Sequence, residues 1–265
     1  MPQRRLHLFE IADQSWCPRI LRDGLTDYLR QLEWVFRPYD LLLPRLRAAL
    51  ARCHEERVLD LCSGAGGPWL PLLSSWEKSG GGPLEVRLSD QRPSPESWAR
   101  AAEASHGVIR PIPQPIDARN VPKEILGFRT LFAAFHHFRP EEGLEIIRDA
   151  VRQKRGIAIF EVTQRTPRAI FVACFVWLLV LGFTPLIRPV KLSRLVLTYL
   201  IPLIPALVTF DGIVSSLRSY TPDEFGELAR QAGGDSYDWE IGEMPYPFAP
   251  FPTVYAIGTP RFLHE

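Results

Sequence analysis

At 265 residues and 46% apolar content, the chain has material for one large α/β domain, or for a domain with a substantial insertion. Its 31 Lys and Arg against 30 Asp and Glu leave a net charge of +1, so no global field favours nucleic acid. Four cysteines (Cys17, Cys53, Cys62, Cys174) form no CxxC pair and no zinc-like spacing, which argues against a disulfide scaffold and for a reducing cytosol.

The start, Met1 to His7, is charged with no apolar run behind it, so no signal peptide is expected. Residues 10–52 read as helical, with Trp16, Ile20, Leu21, Leu25, Tyr28, Leu29 and Leu32 at helical spacing and a break at Pro38. They precede the first strand, and Trp16 is placed to reach a site at the sheet edge. A strand is expected at Arg57–Leu61, followed at once by a small glycine-containing turn and a helix to about Glu77. Strand two is expected at 84–89, ending in Asp90, then a helix at 94–105 capped by Ser94 with Pro95 behind it. A third strand is expected at 113–118, a fourth at 129–135 and a fifth at 156–160, running into Glu161. Thr221-Pro222-Asp223-Glu224 opens a last helix, ended by Gly233-Gly234, before two alternating strands at 237–241 and 253–257. Strands alternating with helices predict a doubly wound, mostly parallel, seven-stranded Rossmann-like α/β sheet. The expected division is a helical addition over 1–55 and a sheet domain over 56–265, with an apolar helical insertion at 167–215.

In such sheets ligands meet the carboxyl edge, where Asp60-Leu61-Cys62-Ser63-Gly64-Ala65-Gly66 lies. A nicotinamide fingerprint needs a third glycine where Trp69 stands, and no P-loop Gly-Lys-Ser/Thr follows. Instead, the acid-then-small-residue loop, with acids closing the next two strands, resembles the class I S-adenosylmethionine-dependent methyltransferases. Cys62 stands where that family usually has its first glycine. The resemblance covers roughly 57–162 and 218–258. It implies cofactor binding by Asp60, Cys62, Ser63, Gly64 and Gly66 in the loop, and by Asp90 with Gln91 at the ribose. It also implies Asp117 and Ala118 at the adenine, and Ala134 and Phe135 at the end of strand four. The cofactor would be S-adenosylmethionine, leaving S-adenosylhomocysteine. His136, His137 and Glu161 are the candidate catalytic groups, a histidine being the base that a hydroxyl acceptor requires. Arg218 and Tyr220, with Trp16, are the candidate acceptor-binding residues. No catechol-type metal constellation is present.

Ala169–Ile187 is a 19-residue stretch without charge, and Leu195–Phe210 is a second one of 16 residues containing Pro202 and Pro205. Arg188, Lys191 and Arg194 lie between them. A single crossing of a bilayer would strand the closing helix and strands on the wrong side. Two crossings would place three cations outside, against the positive-inside tendency. Two readings stay open: a buried lid over an apolar acceptor pocket, shared or not with a second subunit in a homo-oligomer, or peripheral contact with the cytoplasmic membrane face through 169–210, with the three cations at the headgroups. The function expected is O-methylation of a small hydrophobic acceptor in the cytoplasm. The alternatives are methylation of a membrane lipid, quinone or isoprenoid, and a non-catalytic S-adenosylmethionine-binding partner or regulatory module.

Overall fold

A computed structural model describes residues 4–261; Met1–Gln3 and 262–265, at the ends of the expected domains, lie outside the described residues. The chain divides into two compact units. The sheet unit comprises Arg37–Val162, Thr221–Tyr246 and the chain from Pro252. The helical unit comprises the chain up to Phe36, Thr163–Tyr220 and Pro247–Phe251. This corrects the expected boundary at 55: the second N-terminal helix belongs with the sheet, and only the first groups with the insertion.

In the sheet unit, β1 (Arg57–Asp60), β2 (Glu85–Leu88), β3 (Ile109–Pro111), β4 (Phe128–Phe132), β5 (Ile157–Glu161), β6 (Tyr237–Met244) and β7 (Thr253–Pro260) form one sheet. The order is β3-β2-β1-β4-β5-β7-β6, with β7 antiparallel to β5 and to β6. This is the expected seven-stranded, mostly parallel sheet. The third strand lies earlier than predicted. Pro113 and Pro115 have no N–H to give a ladder, so Ile109-Arg110-Pro111 pairs with β2 instead and residues 113–118 run as loop.

Helices α2 (Leu43–Arg52), α3 (Trp69–Lys78), α4 (Pro95–Ala104), α5 (Pro140–Arg152) and α10 (Pro222–Gly233) cover the sheet. Thr221 caps α10 as its sequence promises: its hydroxyl accepts from the Glu224 N–H while Glu224 accepts the Thr221 N–H. Ser94, by contrast, makes no side-chain cap on α4. The core is continuous from Tyr39 and Leu42 through Val58, Trp69, Val86, Phe128 and Phe160 to Ile257.

The helical unit contains α1 (Arg19–Phe36), α6 (Pro167–Cys174), α7 (Val176–Phe183), α8 (Leu192–Leu195), a π-helical turn (Val196–Leu200) and α9 (Leu203–Arg218). Its core is small, built from Tyr28, Val180, Ile187, Ile204 and Val208. Gly24 sets the approach of α1 to α9, because a Cβ there would lie 2.6 Å from the Ile204 Cδ1. Among the described residues no single helix is long and apolar enough to cross a membrane. Two bent pairs pass by length and composition: Pro167–Cys174 with Val176–Leu186, bent by 42°, and Leu192–Leu200 with Leu203–Arg218, bent by 75°. Arg194 is not a headgroup cation. It is 3% exposed, with Nη1 2.6 Å from the Asp27 carboxylate and Nη2 donating to the Ile187 and Pro189 carbonyls. Lys191 shares the same Asp27 oxygen.

One buried ion pair ties β4 to α5. Arg129 Nη1 lies 2.8 Å from Asp149 Oδ2, both nearly solvent-free, and burial pulls the Arg129 pKa down against the pull of Asp149. Asp149 also accepts the Val121 N–H, holding the loop before β4. Asp149→Ala would leave a buried guanidinium without its anion, and urea denaturation is expected to show a loss of about 3 to 5 kcal/mol.

Candidate functional site at the carboxyl edge of the sheet

β1, β4 and β5 are neighbours, so their carboxyl ends lie side by side. Each end carries a distinct chemistry. At β1, Asp60 is buried and its Oδ1 accepts a 2.7 Å hydrogen bond from the Thr130 hydroxyl of β4. Burial raises the Asp60 carboxyl to about 6, with the Thr130 hydrogen bond opposing the rise. The backbone leaves this edge through two left-handed residues that are not glycine, Cys62 (φ 58°) after β1 and Ala133 (φ 45°) after β4. Non-glycine residues enter that region at a cost of about 1 to 2 kcal/mol, so both strand exits carry strain of the kind also found at Arg37, His54, His106 and Lys154. Cys62 therefore holds a conformation glycine takes freely, which accounts for a small residue at this place. Burial, with Asp90, Asp60 and Asp117 nearby, pushes its thiol up, so it stays protonated.

The loop after β1 is clasped to β2 by two serines. Ser63 donates its N–H to the Ser89 carbonyl and its hydroxyl to the Asp60 carbonyl, while the Ser89 hydroxyl reaches the same Asp60 carbonyl. Gly64, Gly66 and Gly67 follow with φ of 52°, 123° and 57°. A Cβ on Gly67 would stand 3.1 Å from Asp60 Oδ2, whereas one on Gly64 would meet nothing, leaving an open shelf of backbone. Asp90, at the exit of β2, accepts the Gly64 N–H on Oδ2 and the Arg92 N–H on Oδ1, and Gln91 beside it is exposed. The indole of Trp98 donates to the Gly64 carbonyl and fixes the loop from below.

Asp117 sits in a turn rather than at a strand end. Arg119 holds its carboxylate by Nε at 3.0 Å and Nη2 at 2.8 Å, which keeps the carboxyl below its usual range. Ala118 is buried beside it.

At β5, Glu161 has no exposure. Its Oε1 accepts the Phe135 N–H at 2.7 Å and the His136 N–H at 3.3 Å, and its Oε2 lies 2.7 Å from His136 Nδ1. Ala134 and Phe135 are buried in the turn that carries His136, and Phe135 packs on Phe225 of α10. The His137 ring lies 4.4 Å from that of His136, centroid to centroid, so the adjacent histidines stack at a tilt.

The three residues placed in the helical unit have other surroundings. Arg218 Nη1 is 2.9 Å from Glu10 and 3.5 Å from Asp13, Arg5 lies over the Tyr220 ring at 4.2 Å, and Trp16 is 63% exposed. Arg218 and Tyr220 are thus engaged by the N-terminal arm. The structure brings together Asp60, Cys62, Ser63, Gly64 and Asp90 around one loop, and His136 with Glu161 across two strands. Sequence reasoning missed Thr130, Ser89 and Trp98. A lone hydroxyl inside the apolar run Arg129–Phe135 was the available signal for Thr130.

No protein-family model matches the sequence, and neither does any curated protein. Among solved structures the chain is similar to the S-adenosylmethionine-dependent methyltransferase SibL in its apo form, at 17% identity over 84% of this chain and 56% of that one, TM-score 0.49. It is similar also to an O-methyltransferase family protein from Burkholderia thailandensis, at 16% identity over 84% of this chain and 57% of that one, TM-score 0.43. A third is the pyocyanin biosynthetic protein PhzM, at 13% identity over 84% of this chain and 55% of that one, TM-score 0.48. The chain spans little more than half the length of each.

The raised Asp60 carboxyl has a pH consequence. Its ionised form is disfavoured by folding, so its contribution to stability is fully present below the ordinary 3.8 and lost as pH rises through about 6. Chemical denaturation from pH 4 to 7 should therefore show Asp60→Asn gaining on the unmutated protein by about 2 to 3 kcal/mol. Parallel pH profiles for the two proteins would reject a buried, raised Asp60.

Proposed function

We propose that the protein is a class I S-adenosylmethionine-dependent methyltransferase acting on a hydroxyl of a small, hydrophobic acceptor. The observation that carries this reading is the buried Glu161–His136 pair beside a glycine loop at one sheet edge. The residues fit the cofactor: Gly64 offers backbone with no side chain in the way, and the Asp90 carboxylate keeps lone pairs beyond the two it gives to backbone N–H groups. Asp60, Cys62, Ser63, Gly64, Gly66, Asp90, Gln91, Ala118, Ala134 and Phe135 would hold it, with Asp117 able to contribute only alongside Arg119. Bound there, S-adenosylmethionine supplies an electrophilic methyl group on a sulfonium.

The chain's own work is then positioning and proton removal. Glu161, as a carboxylate, accepts from His136 Nδ1–H, which leaves Nε2 as the basic nitrogen. Fixed in that tautomer, His136 takes the hydroxyl proton as the oxygen attacks, and Glu161 stabilises the resulting imidazolium. His137 stacks on His136, and the proton is assigned to His136 because Glu161 holds its Nδ1. The uncharged stretches Ala169–Ile187 and Leu195–Phe210 in the sequence support a hydrophobic acceptor over a charged one.

Two measurements test this. Calorimetry should show Asp90→Ala weakening S-adenosylmethionine binding by roughly 1 to 3 kcal/mol, the loss expected when buried polar partners go unmade. Unchanged affinity rejects the ribose assignment. With phenolic and lipophilic alcohols as acceptors, His136→Ala should lower kcat by about 10²- to 10⁴-fold while leaving cofactor affinity near its original value. His137→Ala should stay close to the unmutated rate, and equal losses in both would dissolve the distinction drawn between the two rings.

A further inference from the structure

Residues 162–210 contain no Asp or Glu, yet carry Arg165, Arg168, Arg188, Lys191 and Arg194. Within this stretch an unusual amount of apolar surface faces outward. Phe171, Phe175, Leu178 and Leu179 are exposed along α6, α7 and the residue between them, Leu186 at the end of the first broken helix pair, and Leu200, Ile201 and Leu203 at the break within the second. Leu192 and Leu200 are the extreme cases, each 76% exposed. A shallow groove between α7 and α9, walled by Trp177, Pro202, Pro205, Ala206, Phe210 and Ile213, continues the same face. Large apolar side chains exposed in such number within one stretch mark an interaction surface.

We propose that this bent helical hairpin docks the protein on an anionic lipid bilayer, embedding without crossing. The choice of occupant rests on charge and shape. Arg168 and Arg188 are exposed and Lys191 is half-exposed, while no carboxylate interrupts the stretch, so the surface suits phosphate headgroups. The exposed polar groups among these apolar residues include the cations Arg168, Arg188 and Lys191, a pairing that suits anionic headgroups over an apolar bilayer interior. The 42° and 75° breaks deflect each apolar pair, so neither runs as one straight helix, which suits an interfacial anchor rather than a span. Tyr199, exposed beside Leu200 with its hydroxyl donating to the Leu181 carbonyl, adds an amphipathic ring at the level where such rings collect. The sequence-based expectation of three headgroup cations is corrected: Arg194 spends its charge on Asp27, and Arg168 joins Arg188 and Lys191 instead. The proposal does not depend on methyl transfer.

Flotation of the full chain with vesicles tests it. Vesicles of phosphatidylcholine and phosphatidylglycerol in equal amounts should carry the protein upward, and pure phosphatidylcholine vesicles should carry much less. The double variant Leu192→Glu, Leu200→Glu changes side chains that face outward. It should partition at least about tenfold less while keeping the far-ultraviolet circular dichroism of the unmutated chain. As an independent variant, Arg168→Glu with Arg188→Glu should abolish the preference for phosphatidylglycerol. Failure to float with either vesicle overturns the proposal. So does a lipid-free dimer that becomes monomeric in the double leucine variant, since a second copy would then be the occupant.

Discussion

A carboxylate fully withdrawn from water is tolerated only where its charge is met, and Glu161 is met three times. Two of its donors are backbone N–H groups of the turn after β4, and the third is the ring of His136. The turn cannot be satisfied by solvent, because Phe135 and His136 are themselves buried. One acid therefore does two things: it closes the hydrogen bonding of the β4 exit, and it fixes the tautomer of the imidazole the turn carries. Structure and chemistry at this edge share a single interaction, and removing the acid would disturb both.

The neighbouring edge is built by a different logic. Asp60 spans β1 and β4 through Thr130, and the loop beyond it is held by serine hydroxyls, the Trp98 indole and the Asp90 carboxylate. Left-handed backbone falls at Cys62, inside the Asp60–Ser63 clasp, and at Ala133, just before the turn that Glu161 holds. Such strain persists only where surrounding hydrogen bonds over-determine the conformation. Here the Ser63–Ser89 clasp and the three donors on Glu161 supply that constraint on either side. The result is a stiff rim on which Gly64, its own N–H held by Asp90, leaves room for a ligand against the backbone.

The sheet was largely legible, because short apolar runs ending in polar residues have few other readings. The exception is instructive. Residues 113–118 look like a strand by apolar content, but Pro113 and Pro115 withdraw the N–H groups a ladder needs, and pairing moves to Ile109–Pro111. The glycine loop and Asp90 could be read from local order alone. The Glu161–His136 bond could not, since its members are separated by 25 residues and meet only because β4 and β5 are adjacent. Asp117 was legible as an acid but not as Arg119's partner. Its neighbour two places on sits across a turn that the sequence presented as a strand. The division of the chain was also hidden, because nothing in residues 10–52 marks that the first helix packs with the insertion and the second with the sheet.

The acid-free stretch acquires its meaning from the two acids that bracket it. Glu161 closes one end and Asp211 the other, and each is turned inward as an acceptor of backbone N–H groups, Asp211 taking those of Ile11 and Ala12. Burial raises the Asp211 carboxyl against the backbone N–H groups of Ala12 and Ile11, which favour its charged form. Asp27, the carboxylate that reaches the hairpin from α1, is largely buried under Lys191 and Arg194. Glu161, Asp211 and Asp27 are thus internal or paired, and exposed Asp23 of α1 lies 3.6 Å from Arg19, whereas Arg168 and Arg188 remain at the surface. Outward charge over the hairpin is positive, although the chain as a whole is close to neutral. A local field of one sign over an uncharged apolar tip is the combination that separates a lipid-facing surface from an ordinary exposed core helix, and it arises here from where the acids were placed rather than from an excess of cations.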